Sequence, residues 1–120
     1  MEPTYKEERP WGTFEVLYEE SQMKIKRIVV KPHNRLSLQS HQYRAENWVV
    51  IQGNVVATRN DEEIALATNE FIHIPKEAKH RVANEGDIDA AFIEVQIGTY
   101  LGEDDIIRYE DDYNRVTKKT

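Results

Sequence analysis

Residues 35–53 read Arg35-Leu36-Ser37-Leu38-Gln39-Ser40-His41-Gln42-Tyr43-Arg44-Ala45-Glu46-Asn47-Trp48-Val49-Val50-Ile51-Gln52-Gly53. Successive side chains of an extended chain point to opposite faces, so Arg35, Ser37, Gln39 and His41 share one face of a strand over 35–41. The second half is a Val/Ile-rich strand over 45–52, on which Glu46, Trp48 and Val50 share a face, and Gly53 ends it in a turn. A helix would repeat every three to four residues instead.

The same period runs outward in both directions. Phe14, Val16 and Tyr18 share a face over 13–18, and Met23 to Lys31 separates into Lys24, Lys26, Ile28 and Val30 against Met23, Ile25, Arg27 and Val29. Further strands are predicted over 54–59, 62–67, 70–75, 80–84 and 88–97, with Phe92, Glu94 and Gln96 on one face of the last. Pro32-His33-Asn34, Gln52-Gly53-Asn54, Asn60-Asp61 and Glu85-Gly86-Asp87 read as turns. The length of 120 residues suits one domain. Short strands with frequent turns and no long helix predict a single all-β domain, a sandwich or closed barrel. The tail from Gly102 to Thr120, with its acidic runs Glu103-Asp104-Asp105 and Glu110-Asp111-Asp112, fits either a short helix or a folded-back loop.

Composition removes several classes of function. With no cysteine, disulfide scaffolds, thiol nucleophiles and cysteine-based zinc sites are excluded. Sixteen Lys+Arg against 22 Asp+Glu leave a net charge of −6, which argues against a nucleic-acid partner. No apolar run approaches the roughly 20 residues of a membrane helix, so no membrane partner is expected. The charged start, Met1 to Arg9, does not resemble a secretory signal, and a cytoplasmic location is expected. A small anionic ligand stays open, because a few basic side chains in one pocket outweigh net charge locally.

The chain has four histidines, His33, His41, His73 and His80. One amide oxygen (Gln39), two imidazoles (His41, His80) and one carboxylate (Glu46) on neighbouring strands can surround a divalent cation. Taken singly, each is more often a satisfied polar side chain than a metal ligand. His33 reads as an exposed turn residue, His73 as a partly buried strand residue between Phe71 and Pro75, and Trp11 and Trp48 as core. Arg35, Lys26 and Glu94 fall on inward faces, where burial without partners is expensive, so a polar cavity explains them better than an apolar core.

The spacings Pro32-x6-Gln39-x-His41-x4-Glu46-x6-Gly53 and Pro75-x4-His80-x3-Asn84 resemble the two cupin motifs. Together with ERPWGTFEVL, KRIVVKP, RLSLQSH, RAENWVV, IEVQIGTYLGEDDIIR and DDYNR, they resemble the type II phosphomannose isomerase domain from about Glu8 to Arg115. That domain is often the C-terminal part of a bifunctional enzyme that also has mannose-1-phosphate guanylyltransferase activity, in GDP-mannose biosynthesis. The resemblance implies a cupin fold, a double-stranded β-helix or jelly-roll barrel, with one divalent metal on Gln39, His41, Glu46 and His80. Zinc comes first, then manganese, cobalt, nickel or iron. It also implies metal-dependent isomerisation of mannose 6-phosphate and fructose 6-phosphate. The chain departs from the motifs at His33 and Glu77, where cupins usually have glycine, and at Gln42, Tyr43 and Asn47.

Such an isomerisation moves a proton between C1 and C2 through a cis-enediol. A divalent ion beside the single carboxylate of Glu46 retains positive charge against the enediolate. Glu94 or Lys26 is the candidate base, and Arg35, Lys24 and Arg108 are candidate phosphate residues, guanidinium binding two oxygens at once. The competing readings are a non-catalytic sugar-phosphate-binding or regulatory cupin and an Fe(II) cupin oxygenase; Gln39, in place of a histidine, counts against the latter. Exposed β edges of an open barrel invite a homodimer.

Overall fold

The alternating segments all become strands. The computed structural model describes residues 3–113 and 115; Asn114 of the DDYNR motif and the end of the tail, 116–120, lie outside the described residues. In chain order the strands are β1 (Tyr5–Arg9), β2 (Gly12–Glu20), β3 (Met23–Val30), β4 (Asn34–Arg35), β5 (Leu38–Ser40), β6 (Arg44–Gln52), β7 (Val55–Arg59), β8 (Glu62–Leu66), β9 (Phe71–Ile74), β10 (His80–Asn84), β11 (Ala90–Gly98) and β12 (Ile107–Glu110). One sheet runs β1-β2-β3-β11-β6-β9 and the other β12-β5-β10-β7-β8, with β4 also on β10. Neighbours pair antiparallel throughout, and no helix occurs among the described residues.

The inner faces of the two sheets share one core. Phe14, Val16, Ile28, Val30, Trp48, Val50 and Phe92 meet Val55, Ala57, Leu66 and Val82. Each fully buried aliphatic or aromatic side chain contributes roughly 1.5–3 kcal/mol, so the apolar end of the barrel holds the fold while its other end carries polar groups. On β3 the division is visible within one face: Ile28 and Val30 enter the core, whereas Lys24 and Lys26 are buried among carboxylates.

Two bulges change the parity read from the sequence. Val16 pairs with Lys26 but Tyr18 pairs with Ile25, so Leu17 is an extra residue and Tyr18 turns outward, 45% exposed. Phe14 and Val16 keep the inward face; Tyr18 does not. The predicted strand over 35–41 is likewise split. Arg35 pairs with Ala83 and Gln39 with His80, so four steps along this chain match three along β10. Ser37 is therefore buried, while Arg35 points to solvent and is not on the face of Gln39.

The tail is a folded-back segment with a short strand, β12, hydrogen-bonded along β5. Its anchor is electrostatic. Lys26 Nζ lies 2.6 Å from Glu103 Oε1, and Lys24 Nζ donates to the Leu101 carbonyl at 3.2 Å. Arg81, on β10, donates to the Leu36 carbonyl and pairs with Glu110 at 3.1 Å. No described helix is long and apolar enough to cross a membrane.

Both motif positions where glycine is usual keep glycine's conformation without glycine. His33 has φ 59° and Glu77 φ 68°, in the left-handed region where a Cβ costs roughly 1–2 kcal/mol. Gly53, at φ 72°, makes its turn without that cost. The Glu77 N–H donates to the His41 carbonyl at 2.8 Å, a bond that glycine would keep. Glu77→Gly should therefore stabilise the chain by about 0.5–1 kcal/mol after glycine's greater unfolded-state entropy is subtracted. Thermal unfolding should rise by about 2–5 °C. An unchanged or lowered midpoint would show that the Glu77 side chain makes a compensating contribution.

Candidate metal centre and its cavity

Glu46 lies on the inner face of β6, 1% exposed, and its carboxylate is the hub of the polar end. Trp48 Nε1 donates to Oε1 at 2.9 Å, and Arg44 Nε and Nη2 both lie 2.9 Å from Oε2. His41 Nε2 stands 3.3 Å from Oε2, and His80 Nε2 stands 3.7 Å from Oε1. The imidazole centroids are 4.9 Å apart, and the ligand atoms of His41, Glu46 and His80 all lie within 4.8 Å of one another.

The backbone decides which ring nitrogen of each histidine is bare. His41 Nδ1 is 2.7 Å from the Asp105 carbonyl, and His80 Nδ1 is 3.1 Å from the Ala78 carbonyl. A carbonyl only accepts, so each Nδ1 carries the hydrogen and each neutral ring turns an Nε2 lone pair towards Glu46. Burial keeps both rings neutral: it pushes His41 down to about 4 and lowers His80 as well, against the pull of Glu46. Burial alone would raise Glu46, but with both rings neutral the Arg44 guanidinium against Oε2 holds the carboxyl well below the usual range.

Two lone pairs and an ionised carboxylate thus face one another. Arg44 Nη2 supplies a donor to His41 Nε2 at 3.1 Å, whereas His80 Nε2 is buried with no hydrogen-bond partner. This is a donor set for a cation. Two imidazoles and a carboxylate, with each Nδ1 tied to a backbone carbonyl, suit a divalent metal ion. Arg44 engages the same Glu46 and His41 atoms, so ligation there requires its guanidinium to give up those contacts.

Of the four predicted ligands, the structure brings together His41, Glu46 and His80. Gln39 lines the same cavity as His41, opposite His80 across β5 and β10, with Oε1 accepting from Ser37 Oγ at 2.8 Å. The cavity also takes in Lys26, Glu94, Arg108 and Arg44. Glu94 is pushed up to about 8 by burial and then by ionised Glu46, with which it shares a hydrogen bond; Gln96 Nε2 donates to its other side at 2.7 Å. Lys24 and Arg35 are not brought there. Lys24 is spent on Leu101, Glu19 and Glu103. Arg35 lies on an exposed surface in a two-pronged pair with Asp112, both bonds 2.9 Å, because the bulge before Gln39 turns it outward. His73 is exposed rather than partly buried, with Nδ1 2.9 Å from Asn47 Oδ1.

The sequence reading missed Arg44 and the polar use of Trp48. Parity held the signal for both: Arg44, Glu46 and Trp48 are successive inward positions of β6. It also missed Asp105. Its carbonyl orients His41, and its carboxylate accepts the N–H groups of Gln42 and Tyr43 at 2.9 Å each. Nothing in a solvated-looking EDD run signals that.

A family model described as mannose-6-phosphate isomerase C-terminal matches residues 2–111. The chain belongs to this family. It is 47% identical over 89% of its length to the xanthan biosynthesis protein XanB of Xanthomonas campestris, of which it covers 23%. It is 46% identical over 92% of its length to the alginate biosynthesis protein AlgA of Pseudomonas aeruginosa, and 46% over 90% to the mannose-1-phosphate guanylyltransferase ManC of Salmonella typhimurium, covering 23% and 22% of them. The chain thus spans less than a quarter of the length of these relatives. Among solved structures, the capsular polysaccharide assembling protein CapF of Staphylococcus aureus superposes with a TM-score of 0.75 at 20% identity, over 88% of this chain and 34% of CapF. A cupin-2 domain protein of Rhodospirillum rubrum gives 0.66 at 20%, over 78% of this chain and 67% of that one. These likenesses show the fold: an all-β cupin, as the motifs imply.

The geometry makes a direct statement about metal content. Purified protein dialysed against divalent ions should hold about one ion per chain by elemental analysis. His41→Ala and His80→Ala should each reduce that to background, whereas Arg35→Ala, on the exposed face, should leave it intact. Equal metal in the wild type and both histidine variants would remove the centre.

Proposed function

We propose that the chain is a metal-dependent isomerase domain that interconverts mannose 6-phosphate and fructose 6-phosphate through a cis-enediol. The observation that supports this most is the buried cluster of His41, Glu46 and His80, whose His41 lines a cavity that also holds Gln39, Glu94 and Lys26. Family membership supplies the substrate class. A divalent ion at His41, Glu46 and His80, with Gln39 as a fourth ligand and zinc the first choice, would supply positive charge against the enediolate.

The chain's own groups supply the rest. In this reading Glu94, which borders the cavity beside Glu46 and Gln96, acts from its ionised form to take the proton from one sugar carbon and return it to the next. Lys26 holds Glu103, and with it the folded-back segment, against the cavity. Trp11 and Phe14 give one cavity wall an apolar face that limits water at the reacting carbons.

The test is interconversion followed by NMR in deuterated water. Turnover should stop on chelation, return with added metal, and leave deuterium at C1 or C2. Glu94→Gln should lower kcat by about 100-fold or more with metal content unchanged, since general-base catalysis typically supplies 10²–10⁴-fold. Robust turnover in chelated protein would refute the metal role. Metal binding without any turnover would instead identify a sugar-phosphate-binding module.

A further inference from the structure

The cavity is basic in a chain that is acidic as a whole. Five cationic side chains border it against two carboxylates, whereas the full sequence carries a net charge of −6. Two of the cations belong to the polar centre: Arg44 on Glu46 and Lys26 on Glu103. The other three do not. Arg9 closes β1, Arg108 lies on β12 and Arg115 follows it, so the three approach the cavity from the two ends of the chain. Arg108 is cross-strand partner to Gln39, which sets the group beside the proposed ligand strand.

Bringing three guanidinium groups to one opening is unfavourable unless something anionic joins them. The pairings in the structure only partly offset this. Arg9 pairs with Glu7, and Arg115 binds Asp111 through Nε at 2.7 Å; each uses only some of the five donors of a guanidinium. Glu7 and Asp111 thus orient Arg9 and Arg115 without exhausting their donors.

We propose that Arg9, Arg108 and Arg115 form an anion seat at the mouth of the cavity, which takes the phosphate group of the sugar phosphate. This rests on the isomerase reading for its ligand, though not for its chemistry: a phosphate group is a dianion with three oxygens, and guanidinium forks match it two oxygens at a time. The seat replaces Arg35, whose guanidinium is committed to Asp112 on another surface. It also gives the two chain ends a shared role, since neither terminal segment alone brings all three cations. Specificity follows, because an unphosphorylated sugar entering the same cavity would bring no anion to these guanidinium groups.

The experiment is a binding titration on the metal-free full chain, followed by calorimetry and amide NMR, with inorganic phosphate, mannose 6-phosphate and mannose as probes. Wild type should bind both phosphate-bearing probes and show no saturable response to mannose. Arg9→Gln and Arg115→Gln should each weaken phosphate and mannose 6-phosphate binding by about 10- to 100-fold, with Arg9→Lys recovering part of the loss. Arg35→Gln should bind as wild type does. Circular dichroism and unfolding midpoints identify any variant that fails to fold, in which case the lysine variant at that position carries the comparison. Equal phosphate affinity in the folded Arg9 and Arg115 variants, or no phosphate binding by wild type, overturns the seat. If isomerase activity is absent but phosphate binding falls in these variants, the seat stands and the isomerase reading fails. If the enzyme is active and KM for mannose 6-phosphate is unmoved in both variants, the isomerase reading stands and the seat falls.

Discussion

The buried negative charge of Glu46 is the constraint around which the polar half of this barrel is arranged. A carboxylate this far from water is tolerated only when its oxygens are fully engaged, and removing one partner of such a charge typically costs about 3–5 kcal/mol. Here the partners come from one short stretch: Arg44 and Trp48 flank Glu46 on the same face of β6, and His41 lies just before that strand. His80 arrives from the other sheet. The arrangement is an expensive way to fill a core. Apolar side chains would serve stability at least as well, and the opposite end of the same barrel, around Val30, Val50 and Phe92, is filled in that way. Together with His41 and His80, the charge forms a buried cluster that could hold a metal ion.

The second dependence runs through the folded-back segment. Its sequence is acidic and looks like a solvated loop, yet it provides the carbonyl that fixes the His41 tautomer and the carboxylate that caps the backbone of Gln42 and Tyr43. Lys24 and Lys26, buried on β3, hold the segment by its backbone and by Glu103. The orientation of the candidate metal ligand His41, which follows β5, is therefore set by a segment more than sixty residues later, and by two lysines from the other sheet. A long-range hydrogen bond between a ring nitrogen and a carbonyl leaves no mark on local periodicity.

That difference explains what was legible in the sequence. Alternation located the strands over 45–52, 80–84 and 88–97 to within a residue or two at each end, and it put Glu46, Glu94 and Gln96 on inward faces, because the one irregularity between the first and last of these, at Ala91/Phe92, lies outside the stretch that carries them. Motif spacing led to His41, Glu46 and His80, which the fold gathers into one cluster. Parity failed at Tyr18 and Arg35 for one shared reason. A bulge adds one residue and exchanges the faces beyond it, and neither Leu17 nor the 35–39 segment carries a glycine that would advertise one. Arg44 was missed differently, since the parity argument that reached Trp48 reaches Arg44 equally well in the other direction.

The non-glycine residues at His33 and Glu77 show how far the backbone is fixed by the site. Both take the left-handed conformation that the usual glycine adopts freely, at φ 59° and 68°. A side chain there carries a conformational cost, and the turn survives because neighbouring contacts over-determine it. For Glu77 that contact is its N–H on the carbonyl of His41, the same residue whose ring is held by Asp105. His41 is thus fixed from its backbone by one loop and from its ring by another. A ring held at both ends has little freedom to rotate away, so the Nε2 lone pair of this candidate ligand stays turned towards Arg44 and Glu46, and a metal would need only the Arg44 contact to be released.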